Sequence, residues 1–142
     1  MPPQLQSPEL QAFAYGFPLT LLHIAVSLVM LIVGAAIYAL LTPHREIALI
    51  RDGNSAAAIS FGGVLLGLAI PLAASLTRAL SVVEILIWGA ATLAVQLLVF
   101  RIIDVILRGL PQRIQEGEVS AAALLVGAKI AGALIIAAAL SG

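Results

Sequence analysis

Apolar residues fall in four blocks, 17–41, 55–76, 82–100 and 120–140, and nearly every charge lies in the gaps between them. Each block is about as long as the ~20 residues a helix needs to cross a bilayer. The pattern predicts an all-α polytopic membrane protein with four transmembrane helices. Only 10% of residues are charged and 62% are hydrophobic, against roughly a quarter charged in a soluble domain. The connections are too short to bury a core of their own, so 1–142 reads as a single membrane domain.

Residues 1–16 read as a short outside segment. Ser7 is placed to cap a turn or two of helix with Pro8 at its first position. Phe13, Tyr15 and Phe17 then fall at headgroup level. The start of the chain has no Lys or Arg and the first block is too long for a cleavable leader, so that block is expected to be retained.

The cations predict an orientation. Arg45, Arg51, Arg101, Arg108 and Arg113 lie in the first and third connections, and Arg78 alone lies in the second. Short connections rich in Lys and Arg stay cytoplasmic. Both termini are therefore expected outside, and five cations against one disfavour insertion in both directions.

Ser55-Ala56-Ala57-Ala58 recurs as Ser120-Ala121-Ala122-Ala123, an offset of 65 that also pairs Gly62 with Gly127 and Gly67 with Gly132. Ile50 and Gly53 match Ile114 and Gly117 at an offset of 64. The chain thus reads as two tandem two-helix repeats, 17–76 and 82–141. An even number of crossings per unit gives the copies a parallel orientation. In the first connection, Thr42 as cap, Pro43 at the first position and Gly53 past the end predict a short helix. Residues 101–116 divide apolar Ile102, Val105, Ile106 and Leu110 from Asp104, Arg108 and Arg113. Both read as amphipathic interfacial helices on the cytoplasmic side, or as polar extensions of the preceding span.

Thr42-Pro43-His44, Gly53-Asn54-Ser55-Ala56-Ala57, Gly62-Gly63-Val64-Leu65-Leu66-Gly67, Ile70-Pro71-Leu72, Trp88-Gly89 and Gln96-Leu97-Leu98-Val99-Phe100 resemble the YjfL-like family of small bacterial inner-membrane proteins. That family carries a duplicated domain of unknown function. The resemblance, over roughly 20–140, implies four crossings in two repeats and a place near envelope-stress and polyamine-related functions. It implies no catalytic or binding residues.

Chemistry rests on few side chains. Lys129 falls near the middle of the last block, where a Lys costs ~2.5–3.5 kcal/mol to insert. It is read as a proton or substrate site with Glu84 or Gln96 as partner, or as a lysine packed in the bundle or snorkelling. His23, Arg78 and Glu84 are expected near the outer face, as a pH-sensitive entrance or as solvated interfacial groups. Gly63 and Gly67 form a GxxxG pattern, and Ala128 and Gly132 its counterpart beside Gly127. Such small residues predict close helix packing. Pro71 frees the Gly67 carbonyl and is expected to kink its span.

No cysteine, carboxylate pair, nucleophile elbow or phosphate-cradling loop is present, and the two histidines fall on opposite faces. Neither metal, cofactor nor enzymatic activity is expected. A net charge of zero without a basic run gives no footing for nucleic acid. The bilayer, further copies of this chain or other membrane proteins remain as partners. The leading expectation is a non-enzymatic oligomeric or partner-binding module in envelope maintenance. The alternative is a small oligomeric channel or transporter using Lys129, Glu84, Gln96 and His23.

Overall fold

Ser7 opens the first helix: its hydroxyl accepts the Leu10 amide at 3.3 Å with Pro8 in the next position. In the computed structural model, which describes residues 7–42 and 46–142, this helix, α1, runs without a break over Pro8–Leu41. Its 34 residues extend ~51 Å at 1.5 Å per residue. Residues 8–16 of the expected outside segment are thus helical and continuous with the first apolar block. Pro43, His44 and Arg45, which figured in the cap, histidine and orientation readings, lie outside the described residues.

Three further long helices follow: α3 (Ser55–Arg78), α4 (Val82–Ile106) and α6 (Val119–Ser141), with short α2 (Glu46–Arg51) and α5 (Leu110–Gln115) before α3 and α6. The described chain is all-helical apart from its turns, and four helices are long and apolar enough to cross a membrane. Asn54 caps α3 by accepting the Ala57 amide at 3.0 Å. Ser81 caps α4 by accepting the Glu84 amide at 3.2 Å, while the Glu84 carboxylate accepts the Leu80 amide at 2.8 Å. Such reciprocal capping satisfies amides that a helix start leaves unpaired.

Helix α4 continues past Phe100 and carries Arg101 and Asp104 in its last turns. Gly109 then turns the chain at φ 89° before α5. The stretch 101–116 is thus an extension of the span and a short helix together. Gly53 and Gly117 end α2 and α5 at φ 87° and 88°. Each donates its amide three residues back, to Ile50 O at 3.0 Å and Ile114 O at 2.9 Å. The next amides, of Asn54 and Glu118, reach Leu49 O and Arg113 O. This termination uses left-handed backbone that glycine adopts without penalty.

The closest seam joins α3 to α6, with α4 packed on both and α1 resting on α3 and α4. Ala56, Ala57, Ala121 and Ala122 are buried with Leu110, Ile114 and Leu125 at the end carrying α2 and α5. A second core, Tyr38, Val64, Leu68, Leu93 and Phe100, fills the middle. A Cβ on Gly63 would collide with Val126 of α6, and one on Gly67 would lie 2.6 Å from the Phe100 ring. Gly132 faces Val99 of α4, whereas Gly127 faces open space and marks no close approach. Outward-facing Leu28, Val29, Ile32, Leu66 and Ile135 are more than half exposed, as expected where hydrocarbon is the solvent.

Candidate functional site

Every Cα–Cβ bond in a helix tilts toward its N-terminus, so Lys129 in mid-α6 aims at the end where α6 begins. The last turns of α1 and α4 lie at that end. There Tyr38 and Asp104 receive it. Lys129 Nζ donates to the Tyr38 hydroxyl at 2.9 Å and lies 3.1 Å from Asp104 Oδ1. The Asp104 contact is an ion pair, without the angle of a directed hydrogen bond. The ammonium also stands 4.7 Å from the Tyr38 ring centre and 5.1 Å from that of Phe100, within cation–π range. Those two rings meet edge to face at 6.0 Å.

Lys129 is 0% exposed, and the Asp104 side chain 17%. A charge so enclosed persists only when paired; removing one partner of such a pair costs ~3–5 kcal/mol. Glu46, the first residue of α2, is buried beside them at 6% exposure. Ser60 donates to its Oε1 at 3.4 Å, while Oε2 has no hydrogen-bond partner. Burial holds the Glu46 carboxyl above the ordinary carboxylate range. The Lys129 charge and the Ser60 hydroxyl draw it part of the way back. A cavity of about 210 Å³ opens onto Glu46, Asp104 and Tyr38, with Arg101 and Arg108 also in its wall.

The other polar residues singled out in the sequence lie apart from this cluster. Gln96 is fully buried, and its Nε2 donates at 2.7 Å to the Gly67 carbonyl, the one Pro71 cannot reach. Glu84 caps α4 at its start, some 30 Å along that helix from Asp104 at 1.5 Å per residue. Lys129 therefore has neither Glu84 nor Gln96 as partner. Glu84 and Arg78 share a cavity of about 180 Å³ with Ser75, Trp88 and Leu140 at the opposite end. His23 does not line it; its Nε2 is buried on α1 without a partner. Among the described residues no group of three His, Cys, Asp or Glu could hold a metal.

Sequence reasoning overlooked Tyr38, Glu46, Asp104 and Asn54. The signal for Asp104 was present: a lysine aimed down α6 needs an acid near the last turn of a neighbouring helix. Asn54 gave none. Besides capping α3, its Nδ2 donates to the Ile114 and Gln115 carbonyls at 3.0 and 3.1 Å, tying α3 to the end of α5.

A family model described as Domain of Unknown Function (DUF350) matches residues 12–140. The chain belongs to this family. The UPF0719 inner membrane protein YjfL of Escherichia coli K12 is 34% identical over 113 residues, covering 80% of this chain and 86% of the relative. Its counterpart in E. coli O157:H7 matches equally. No solved structure matches the chain. The family and the four apolar helices together make this DUF350 member an integral membrane protein, similar to a protein of the inner membrane. The family's description assigns no activity to the Lys129 cluster.

Proposed function

We propose that this protein is a non-enzymatic inner-membrane module that acts by binding copies of itself or other membrane proteins, in maintenance of the envelope. One observation carries the reading. Lys129 and Gln96, two polar side chains within the spans, are each fully enclosed, and on separate partners. Polar groups held this way fix helix positions and leave the outer faces as working surfaces. The same reading takes the chain as two tandem repeats, 17–76 and 82–141, in parallel orientation. The matched ends of α2 and α5 and the matched burial of Ala56, Ala57, Ala121 and Ala122 support that duplication. Helices α2 and α5 would lie at the cytoplasmic interface with the arginines, both termini outside.

The alternative, a small oligomeric channel or transporter, draws support from the cavity that reaches Asp104 and Glu46. Ion and solute flux in proteoliposomes separates the two. The module reading expects wild type and Lys129→Met to leak no more than empty vesicles. Flux in wild type that disappears in a folded Lys129→Met variant would establish transport instead.

A further inference from the structure

The cavity beside the Lys129 cluster presents two signs of charge in separate places. Arg101, Asp104 and Val105 share a face of the last turns of α4, as residues three and four apart do, and they line the cavity together with Arg108 from the turn that follows. Both arginines are exposed, while Glu46 is enclosed. The two carboxylates differ in what they hold. Asp104 pairs with Lys129, whereas Glu46 lines the cavity with its Oε2 buried and without a hydrogen-bond partner. An oxygen so placed is destabilising unless a donor meets it. A simple anion would satisfy the arginines and be repelled by Glu46; a simple cation would meet the reverse. A group carrying phosphate and ammonium together satisfies both.

We propose that this cavity holds the headgroup of a phospholipid ending in a primary ammonium, its phosphate on Arg101 and Arg108 and its ammonium on the Glu46 carboxylate. An adjoining cavity of about 190 Å³ shares Tyr38, Arg101 and Asp104 and is walled by Leu41, Leu97 and Phe100. Leu41 is 63% exposed, so an apolar path leads from the headgroup site toward the hydrocarbon. That path favours a lipid over a free phosphate ester. Basic pockets between spans are known means of holding lipid headgroups; the buried carboxylate is what makes this one selective for an ammonium. The inference does not depend on whether the module acts through protein partners.

The test is native mass spectrometry of the delipidated protein in neutral detergent, titrated with phosphatidylethanolamine, phosphatidylglycerol and phosphatidylcholine of matched chains, and with soluble phosphoethanolamine. Wild type should retain phosphatidylethanolamine about tenfold better than either other lipid, the factor of one charge-assisted contact. Glu46→Gln should erase that preference while leaving phosphatidylglycerol retention unchanged. Arg101→Gln with Arg108→Gln should weaken phosphatidylethanolamine and phosphatidylglycerol alike. Equal retention of the three lipids by wild type, which needs no variant to fold, overturns the proposal. So does a Glu46→Gln protein that keeps the preference, or soluble phosphoethanolamine binding as tightly as the lipid.

Discussion

Gly62 and Gly63 are neighbours in sequence with opposite surroundings. A Cβ at Gly62 meets nothing within 4 Å, and one at Gly63 runs into Val126. Gly63→Leu is therefore expected to lower stability by ~1–3 kcal/mol or more through overpacking, and Gly62→Leu to leave it nearly unchanged. Thermal unfolding of the two variants in one detergent checks this; similar midpoints would dissolve the α3–α6 seam as described. Gln96 offers a second test. Its amide serves the Gly67 carbonyl because Pro71 has no N–H to give. Gln96→Leu should cost ~0.6–1.7 kcal/mol, the range for polar contacts between spans. In a Pro71→Ala background the cost should shrink, because the helix can then supply its own donor. The small-residue pattern and the freed carbonyl were legible in the sequence, since both follow from one helix considered alone. For Lys129 the sequence signalled the need for an acid near the end of a neighbouring helix but not which one pairs with it. That choice depends on where α1 and α4 end relative to α6, which no periodicity within α6 encodes.

At the level of elements, the four spans and the cap at Ser7 followed from local chemistry. Boundaries were less legible. The apolar block stops at Phe100, yet α4 continues to Ile106 because helical hydrogen bonds persist wherever buried and exposed faces can still be divided. The polar end of a span is thus hidden in what reads as a connection, and that is where Asp104 sits. Gly53 and Gly117 are the elements' clearest signals. Each adopts a left-handed turn with nothing near its missing Cβ, so Ala at either site introduces backbone strain alone. Gly53→Ala and Gly117→Ala should each lose ~1–2 kcal/mol and couple when combined, because Asn54 beside Gly53 donates to the Ile114 carbonyl that also receives the Gly117 amide. Chemical denaturation in mixed micelles would show it, and a neutral result at either glycine would reject the shared termination.

Across the whole molecule, one end gathers α2, α5, the Lys129 cluster and the arginines Arg51, Arg101, Arg108 and Arg113, and the other has Arg78. On the orientation proposed above, a reporter fused after Gly142 should be active only outside; cytoplasmic activity would invert the arrangement. Within the clustered end the enclosed Lys129 is paired with Asp104, and a double-mutant cycle on purified protein weighs that pair most directly. Lys129→Met and Asp104→Leu should each lower unfolding free energy by ~3–5 kcal/mol by stranding the other charge. The variant carrying both should recover most of that loss, because two apolar side chains then meet in place of two ions. Single variants as stable as wild type, or a combined loss equal to the sum, would contradict a bundle built around this pair.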